Sequence, residues 1–276
     1  MNIVVLHKKP AAMRIIRSLW IFLLIAGLFW SCSKEESGIS LSGKIFKIVH
    51  NPGSVNADTI KFEYDGSGRV KTITRQLSVF NTIQTLTFER NSSGQITSVN
   101  ERLPAAYYSN TLVNYSLEPD GTYISAHITL SHGSNPAQYE DVDYVYTGNR
   151  ITQINYHRAV DLNWRTNYSY DEYGNVTRIA KYDTSDSLLE RYEYTAFDNK
   201  STPVESVDDP YSIEATYLSG YNNPLTETDY VIIEGPIYLL HAYTYNDSGK
   251  PTTKITSMSY DSINYFQEQR TQYIYY

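Results

Sequence analysis

One motif recurs along most of this chain and limits what it can become. Ile60-Lys61-Phe62-Glu63-Tyr64-Asp65-Gly66-Ser67-Gly68-Arg69-Val70-Lys71-Thr72-Ile73 and Tyr168-Ser169-Tyr170-Asp171-Glu172-Tyr173-Gly174-Asn175-Val176-Thr177-Arg178-Ile179 share one order: alternating aromatics, Asp, two residues, Gly, a polar residue, then an aliphatic pair three apart. Residues 243–250 and 88–99 repeat it, 142–154 is one residue shorter at its turn, and 115–127, 192–200 and 217–225 are degenerate copies. The turn residues Gly68, Gly94, Gly121, Gly148, Gly174, Asn199, Gly220 and Gly249 are separated by 26, 27, 27, 26, 25, 21 and 29 residues. Asp or Asn bonds the backbone two residues on, Gly supplies the positive φ of a tight reversal, and alternation keeps one strand face apolar. Each unit therefore reads as a β-hairpin, and the repetition predicts an all-β antiparallel meander of about eight hairpins, or about sixteen strands.

Positions i and i+2 share a strand face, so Phe62 with Tyr64, Tyr144 with Tyr146, Tyr168 with Tyr170, Tyr192 with Tyr194, Tyr243 with Tyr245 and Tyr273 with Tyr275 are expected to form buried aromatic ladders. Lys61, Glu63, Asp143, Ser169, Glu193 and Thr244 then face water, the reverse of the outward apolar band of a transmembrane barrel. A sheet of about sixteen strands is some 75 Å wide, past the size at which open sheets curl or close. A rolled sheet is expected, barrel-like or partly open, with an interior that side chains alone do not fill if it is round. The 27 tyrosines suit such an interior, since the ring packs while the hydroxyl finds a polar partner.

The front of the chain has a different character. Residues 1–31 hold Lys8, Lys9, Arg14 and Arg17 and no acidic residue, and end in an apolar run at 19–30. Twelve residues span about 18 Å as a helix, short of the ~30 Å hydrocarbon core, so this is read as a cleaved signal segment. Met13 is an alternative start, because residues 13–31 keep two arginines and the whole apolar run. The only cysteine follows in Leu28-Phe29-Trp30-Ser31-Cys32, which resembles a lipobox with bulkier residues than usual at Phe29 and Trp30. Acyl chains on Cys32 would hold the protein to a bilayer without a spanning segment. Ser33-Lys34-Glu35-Glu36 resembles the short signal that sends Bacteroidetes lipoproteins to the outer face of the outer membrane. The expected organisation is a signal peptide at 1–31, a lipidated flexible tether at 32–44, and a repeat sheet at 45–276, with a first edge strand near residues 45–49.

The Tyr-x-Tyr-Asp-x-x-Gly-Asn/Arg units resemble YD repeats of the RHS type. Over about residues 45–276 the chain is more similar to a family of Bacteroidetes lipoproteins of unknown function, distantly related to RHS repeats, for which the resemblance implies a porin-like rolled β fold. Known RHS shells enclose a cargo, and no long non-repeat segment is left here to serve as one.

Charge and motifs exclude several chemistries. A formal net charge of −7, falling to −11 once residues 1–31 are removed, opposes nucleic-acid binding and implies no electrostatic membrane patch. A single cysteine excludes intrachain disulfides and thiolate zinc clusters. His50, His127, His132, His157 and His241 show no metal-ligand spacing, and no nucleophile elbow, phosphate loop or dinucleotide fingerprint occurs. No metal, no cofactor and no catalytic residue is therefore expected. Asp183, Asp186, Glu190 and the pair Asp208-Asp209 read as solvated turns, with calcium binding or glycoside hydrolysis as the alternative.

Three weaker signals remain. Trp164, with Tyr156 and Tyr168 nearby, is the candidate stacking platform for a sugar ring, against core packing. Asp58-Thr59-Ile60, Asp186-Ser187-Leu188 and Asp261-Ser262-Ile263 resemble O-glycosylation sites of exported Bacteroidetes proteins, which would modify Thr59, Ser187 and Ser262 between hairpins. The expected function is a non-enzymatic surface lipoprotein, attached to the outer membrane through Cys32 and binding a glycan, a peptide or an outer-membrane partner. The alternatives are a barrel or channel component of that membrane and, behind it, a carbohydrate-active enzyme.

Overall fold

The computed structural model describes residues 40–276 apart from 56, 79–81, 104–108, 134, 159–162, 203–221 and 232–234. The signal segment, Cys32, Ser33, Lys34, Glu35, Glu36 and the Asp208-Asp209 pair lie outside the described residues. Leu41–Tyr276 forms one compact unit.

Sixteen strands follow one another: β1 (Ile45–His50), β2 (Asp58–Tyr64), β3 (Val70–Leu77), β4 (Thr82–Arg90), β5 (Ile96–Arg102), β6 (Ser109–Leu117), β7 (Tyr123–His132) and β8 (Gln138–Thr147). Then come β9 (Arg150–Arg158), β10 (Trp164–Tyr170), β11 (Val176–Asp183), β12 (Leu188–Ser201), β13 (Asn222–Val231), β14 (Gly235–Tyr245), β15 (Pro251–Ser259) and β16 (Gln267–Tyr275). Each pairs antiparallel with its sequence neighbours, and β1 also pairs with β16, so the meander closes into a barrel. The expected edge strand near residue 45 is thus no edge: closure satisfies both of its sides.

The repeat motif builds one end of the barrel. Asp65 Oδ1 accepts from the amides of Ser67 (2.8 Å) and Arg69 (3.0 Å), while the Gly68 amide closes onto the Asp65 carbonyl at 2.9 Å with Gly68 at φ +73°. Asn91 and Asn246 do the same for Ser93 with Gln95 and for Ser248 with Lys250. Just beyond each such turn the ladder slips by one residue, as between Glu63 and Tyr64, which leaves Lys71 bulged and turns both Val70 and Ile73 inward. The bulge is the physical reason for an aliphatic pair spaced by three where a plain strand would space it by two.

The count of eight units survives with a different membership. Ser201 pairs with Asn222, so Asn199 lies inside β12 and is not a turn; Gly220 lies outside the described residues. Tyr192–Lys200 and the stretch around residue 222 are the two arms of one hairpin, in which Asp198 Oδ1 accepts from the Asn223 amide at 3.1 Å as Asp65 does from Arg69. The eighth unit is split between the chain's two ends. Tyr273 and Tyr275 of β16 supply the aromatic pair, and Gly43, Ile45 and Ile48 supply the turn glycine and the buried aliphatic pair.

Following the register round the barrel gives a consistent inner face. Phe62, Ile73, Phe88, Val99, Val113, Ile128, Val142, Tyr144 and Ile154 are buried there and form one core with Ile45, Ile48 and Tyr273. Ile128 and Val142 are 0% exposed, so at this level the lumen is filled by side chains and not by water. A second cluster of Val176, Ile179 and Tyr194 joins it through Tyr168. Each of these strands turns its other face to solvent, with Lys61, Glu63, Glu89, Asn114, Asp141, Asp143, Ser169, Thr244 and Gln272 exposed. Exposed apolar side chains, among them Phe46, Ile83, Leu112, Ile124, Val145, Leu240 and Ile255, interrupt this polar wall.

Candidate luminal site

The inner face changes chemistry in one sector, and the repeat register locates the change. The second residue of the aliphatic pair, three beyond Val70, Ile96, Tyr123, Ile151, Val176, Pro224, Pro251 and Ile45, is respectively Ile73, Val99, Ala126, Ile154, Ile179, Glu227, Lys254 and Ile48. Six of these slots hold a buried aliphatic, and two adjacent units hold opposite charges. Between them stands His241, 6% exposed, with Nε2 at 3.1 Å from Glu227 Oε2 and Nδ1 at 3.0 Å from Thr256 Oγ1. Lys254 is buried opposite Thr271, which also meets His50 Nδ1 at 3.1 Å.

Three inward carboxylates share the sector: Glu190 on β12, and Glu227 with Asp229 two apart on β13, where Asp229 faces Tyr192 directly across the ladder. Burial, with the neighbouring charges of Glu227 and Glu190, pushes the Asp229 carboxyl up to about 6. Burial and the same carboxylates raise the Tyr192 phenol to about 12. The Lys254 ammonium is pushed down by burial, with Glu227 opposing the shift. His241 is held below its ordinary value by burial and by Lys254 against the pull of Glu227, and His50 by burial and Lys254. Both imidazoles are therefore neutral near pH 7. The set can donate, accept and exchange protons inside the barrel.

Next to this sector lies the corner that holds Trp164. Its indole stacks on Tyr156 with centroids 4.9 Å apart and planes 16° from parallel, because the two residues are directly paired between β9 and β10. The guanidinium of Arg158 lies 4.9 Å and the ammonium of Lys181 5.1 Å from the indole centroid. Arg158 in turn holds the buried Glu140 at 2.9 Å. Trp164 and Tyr156 thus come together as the sequence suggested, but Tyr168 sits four residues along β10 in the core, its phenol raised by burial. A sugar stacking on Trp164 must displace one of its partners.

The other sequence candidates are dispersed. Thr59 is paired within β2, not between hairpins, whereas Ser187 and Ser262 are exposed in loops, Ser262 with φ +62°. Asp183 caps its own turn by accepting from Ser185 and Ser187, and Asp186 pairs with Arg165. Of that acidic run Glu190 lies within the luminal sector, on the same strand face as Tyr192. His127 bonds Asp141 at 2.7 Å on the outer wall and does not meet His132. Among the described residues no group of three or more His, Cys, Asp or Glu is placed to hold a metal ion. Reasoning from sequence missed Glu227, Lys254 and His241, although aligning the aliphatic slot across the units would have exposed the two charges.

No family model matches the chain, and no curated protein matches its sequence. Among solved structures it is similar to a porin-like protein from Bacteroides uniformis, with 13% identity, a TM-score of 0.57, and coverage of 85% of this chain and 98% of that one. A porin-like protein from Bacteroides vulgatus is also matched, at 13% identity and a TM-score of 0.41 over 84% of this chain and 98% of that one. The first of these shows a shared porin-like β fold.

Proposed function

We propose that the chain is an outer-membrane barrel lipoprotein, held on the cell exterior by a lipid on Cys32, that binds a ligand at the polar sector of its lumen without transforming it. The observation that carries the binding role is the exchange of aliphatic core residues for Glu227 and Lys254, with His241 between them. Buried charge is a poor source of stability, and perturbed titratable groups gathered at one place mark a candidate functional site. The porin-like fold of the Bacteroides uniformis protein supports an outer-membrane setting. The lipobox-like segment, the Ser33–Glu36 tetrapeptide and the YD-type repeats support membership of the Bacteroidetes lipoprotein family with its distant RHS kinship. A glycan is the first candidate ligand, ahead of a peptide or a neighbouring membrane protein.

The test uses the full chain. Labelling with a palmitate analogue, lost in Cys32→Ala, together with protease accessibility on whole cells, examines the anchor and its orientation. A glycan array run on the native protein and on Glu227→Gln examines the site. Hits that are identical for both proteins overturn the luminal assignment.

The closed sheet and the porin-like fold support the second reading, a barrel or channel component of the outer membrane, more directly than they support binding. Against conduction stand the packing of the lumen at the level of Ile128 and Val142 and the charged residues on the outer face. Planar bilayers are expected to show no conductance, and discrete conductance steps would replace the binding reading.

A further inference from the structure

At the turn end of the barrel, where residues 41–44 lead into β1, the first two repeat turns enclose a groove of about 240 Å3. Asp65, Arg69, Val70, Lys71, Phe88, Arg90 and Asn91 line it. Three are cations in a protein whose overall charge is negative. The one carboxylate is already engaged, since Asp65 is bound by the Arg69 guanidinium at 2.9 Å and by two turn amides.

Each cation is placed there by the repeat itself. Arg69 follows the turn glycine and lies directly against Gly94 of the next turn, a close approach that a side chain at Gly94 would block. Lys71 is the bulged residue of β3 and is exposed. Arg90 occupies the slot held by Tyr64 and Tyr170 in other units; its Nη atoms donate to the carbonyls of Gly94 (2.9 Å) and Val70 (3.4 Å). Its Nε is buried and finds no acceptor among the described residues. The floor is apolar, formed by the buried Val70 and Phe88.

We propose that this groove binds a phosphate group, and that the source is a phosphate-bearing lipid head group. Two guanidinium groups and an ammonium lining one groove fit a tetrahedral anion, and the apolar floor fits the glycerol and first methylenes behind it. The lipid source rests on the anchor at Cys32 proposed above, because the chain enters the barrel at this end. The phosphate chemistry does not rest on it.

The experiment is calorimetric titration of the full chain in dodecylmaltoside micelles with dihexanoyl phosphatidic acid, inorganic phosphate and dihexanoyl phosphatidylcholine. The acid is expected to bind, inorganic phosphate about tenfold more weakly, and phosphatidylcholine with no measurable heat. Lys71→Glu, whose exposed side chain leaves folding intact, is expected to weaken the acid by about tenfold or more at an unchanged thermal midpoint. No heat with the acid overturns the site, unchanged affinity in Lys71→Glu overturns its location, and equal affinity for inorganic phosphate overturns the lipid source. Failure of the anchor itself reads out separately, as an unlipidated Cys32 in the intact mass.

Discussion

The hydroxyl of Tyr64 donates to the carbonyl of Ile45 at 2.6 Å, one strand away and beyond the last ladder bond of β1 with β2. The Lys44 ammonium, just before that carbonyl, lies 5.6 Å from the Tyr64 ring centroid. Tyr170 bonds the Ile151 carbonyl at 2.7 Å beneath Arg150, and Tyr275 bonds the Pro251 carbonyl at 2.7 Å beneath Lys250. The second tyrosine of the motif is thus a staple between successive units: ring under the cation that follows the turn, hydroxyl on the next carbonyl.

Removing one staple hydroxyl should therefore cost about 1 kcal/mol, the net worth of a half-buried hydrogen bond. Tyr64→Phe and Tyr170→Phe are expected to lower stability by that amount each, and additively, since they share no partner. Urea melts of the two single variants and the double check this, and an unchanged midpoint in either would remove its staple.

Exchanging the two charged core slots for what the other units carry should stabilise the barrel. Glu227→Leu together with Lys254→Ile is expected to gain about 1–4 kcal/mol, whereas Lys254→Met alone loses stability by leaving Glu227 in the sector without its countercharge. A double-mutant cycle from denaturant melts measures both. If the double variant is the less stable, the set is structural and the binding reading loses its support.

Asp229 predicts a pH dependence of definite sign. Its carboxyl sits near 6 in the folded chain against 3.8 otherwise, so the folded state holds the extra proton and this contribution to stability is lost as pH rises from about 4 through 6. Asp229→Asn should remove the loss, gaining about 1 kcal/mol over the native protein at pH 7.5, after discounting for solvent screening, and nothing at pH 3.5. The lowered His50 and His241 act the other way, their contribution falling as pH drops below 6.5, and remain in both proteins. Melts of the pair across pH 3.5–8 isolate the carboxylate.

Trp164→Ala should destabilise the β9 to β11 region by about 2 kcal/mol, because it removes a stacked ring and two cation contacts from a half-buried site. Trp164 is the sole tryptophan beyond residue 31, so in a chain without Trp20 and Trp30 its emission reports this corner directly. Tyr156→Ala is expected to shift that emission to longer wavelength as water replaces the stacked ring. No shift would mean that the pair is not formed.

Much of the architecture was legible in the residues themselves. Asp65, Asn91 and Asn246 bond their own turn amides, and Gly68, Gly94 and Gly249 carry positive φ, because these are local effects of a side chain on its nearest backbone. Asn199 was misread for the converse reason: it has the composition of a turn residue, but pairing of Ser201 with Asn222 draws it into a strand. Glu227 and Lys254 went unnoticed because a charge in one strand looks solvent-facing until a bulge fixes which way it points.

Local chemistry alone determined the number of hairpins, most of their turns and, in most strands, the side that avoids water, since period and turn composition act over a few residues. Only the tertiary structure decided that β16 returns to β1, that Gly43 and Tyr275 complete one unit from opposite ends of the chain, and that Glu227, His241 and Lys254 meet inside. Those outcomes depend on register carried through sixteen strands, where each bulge resets the facing of every residue after it and no local rule sees the accumulated result.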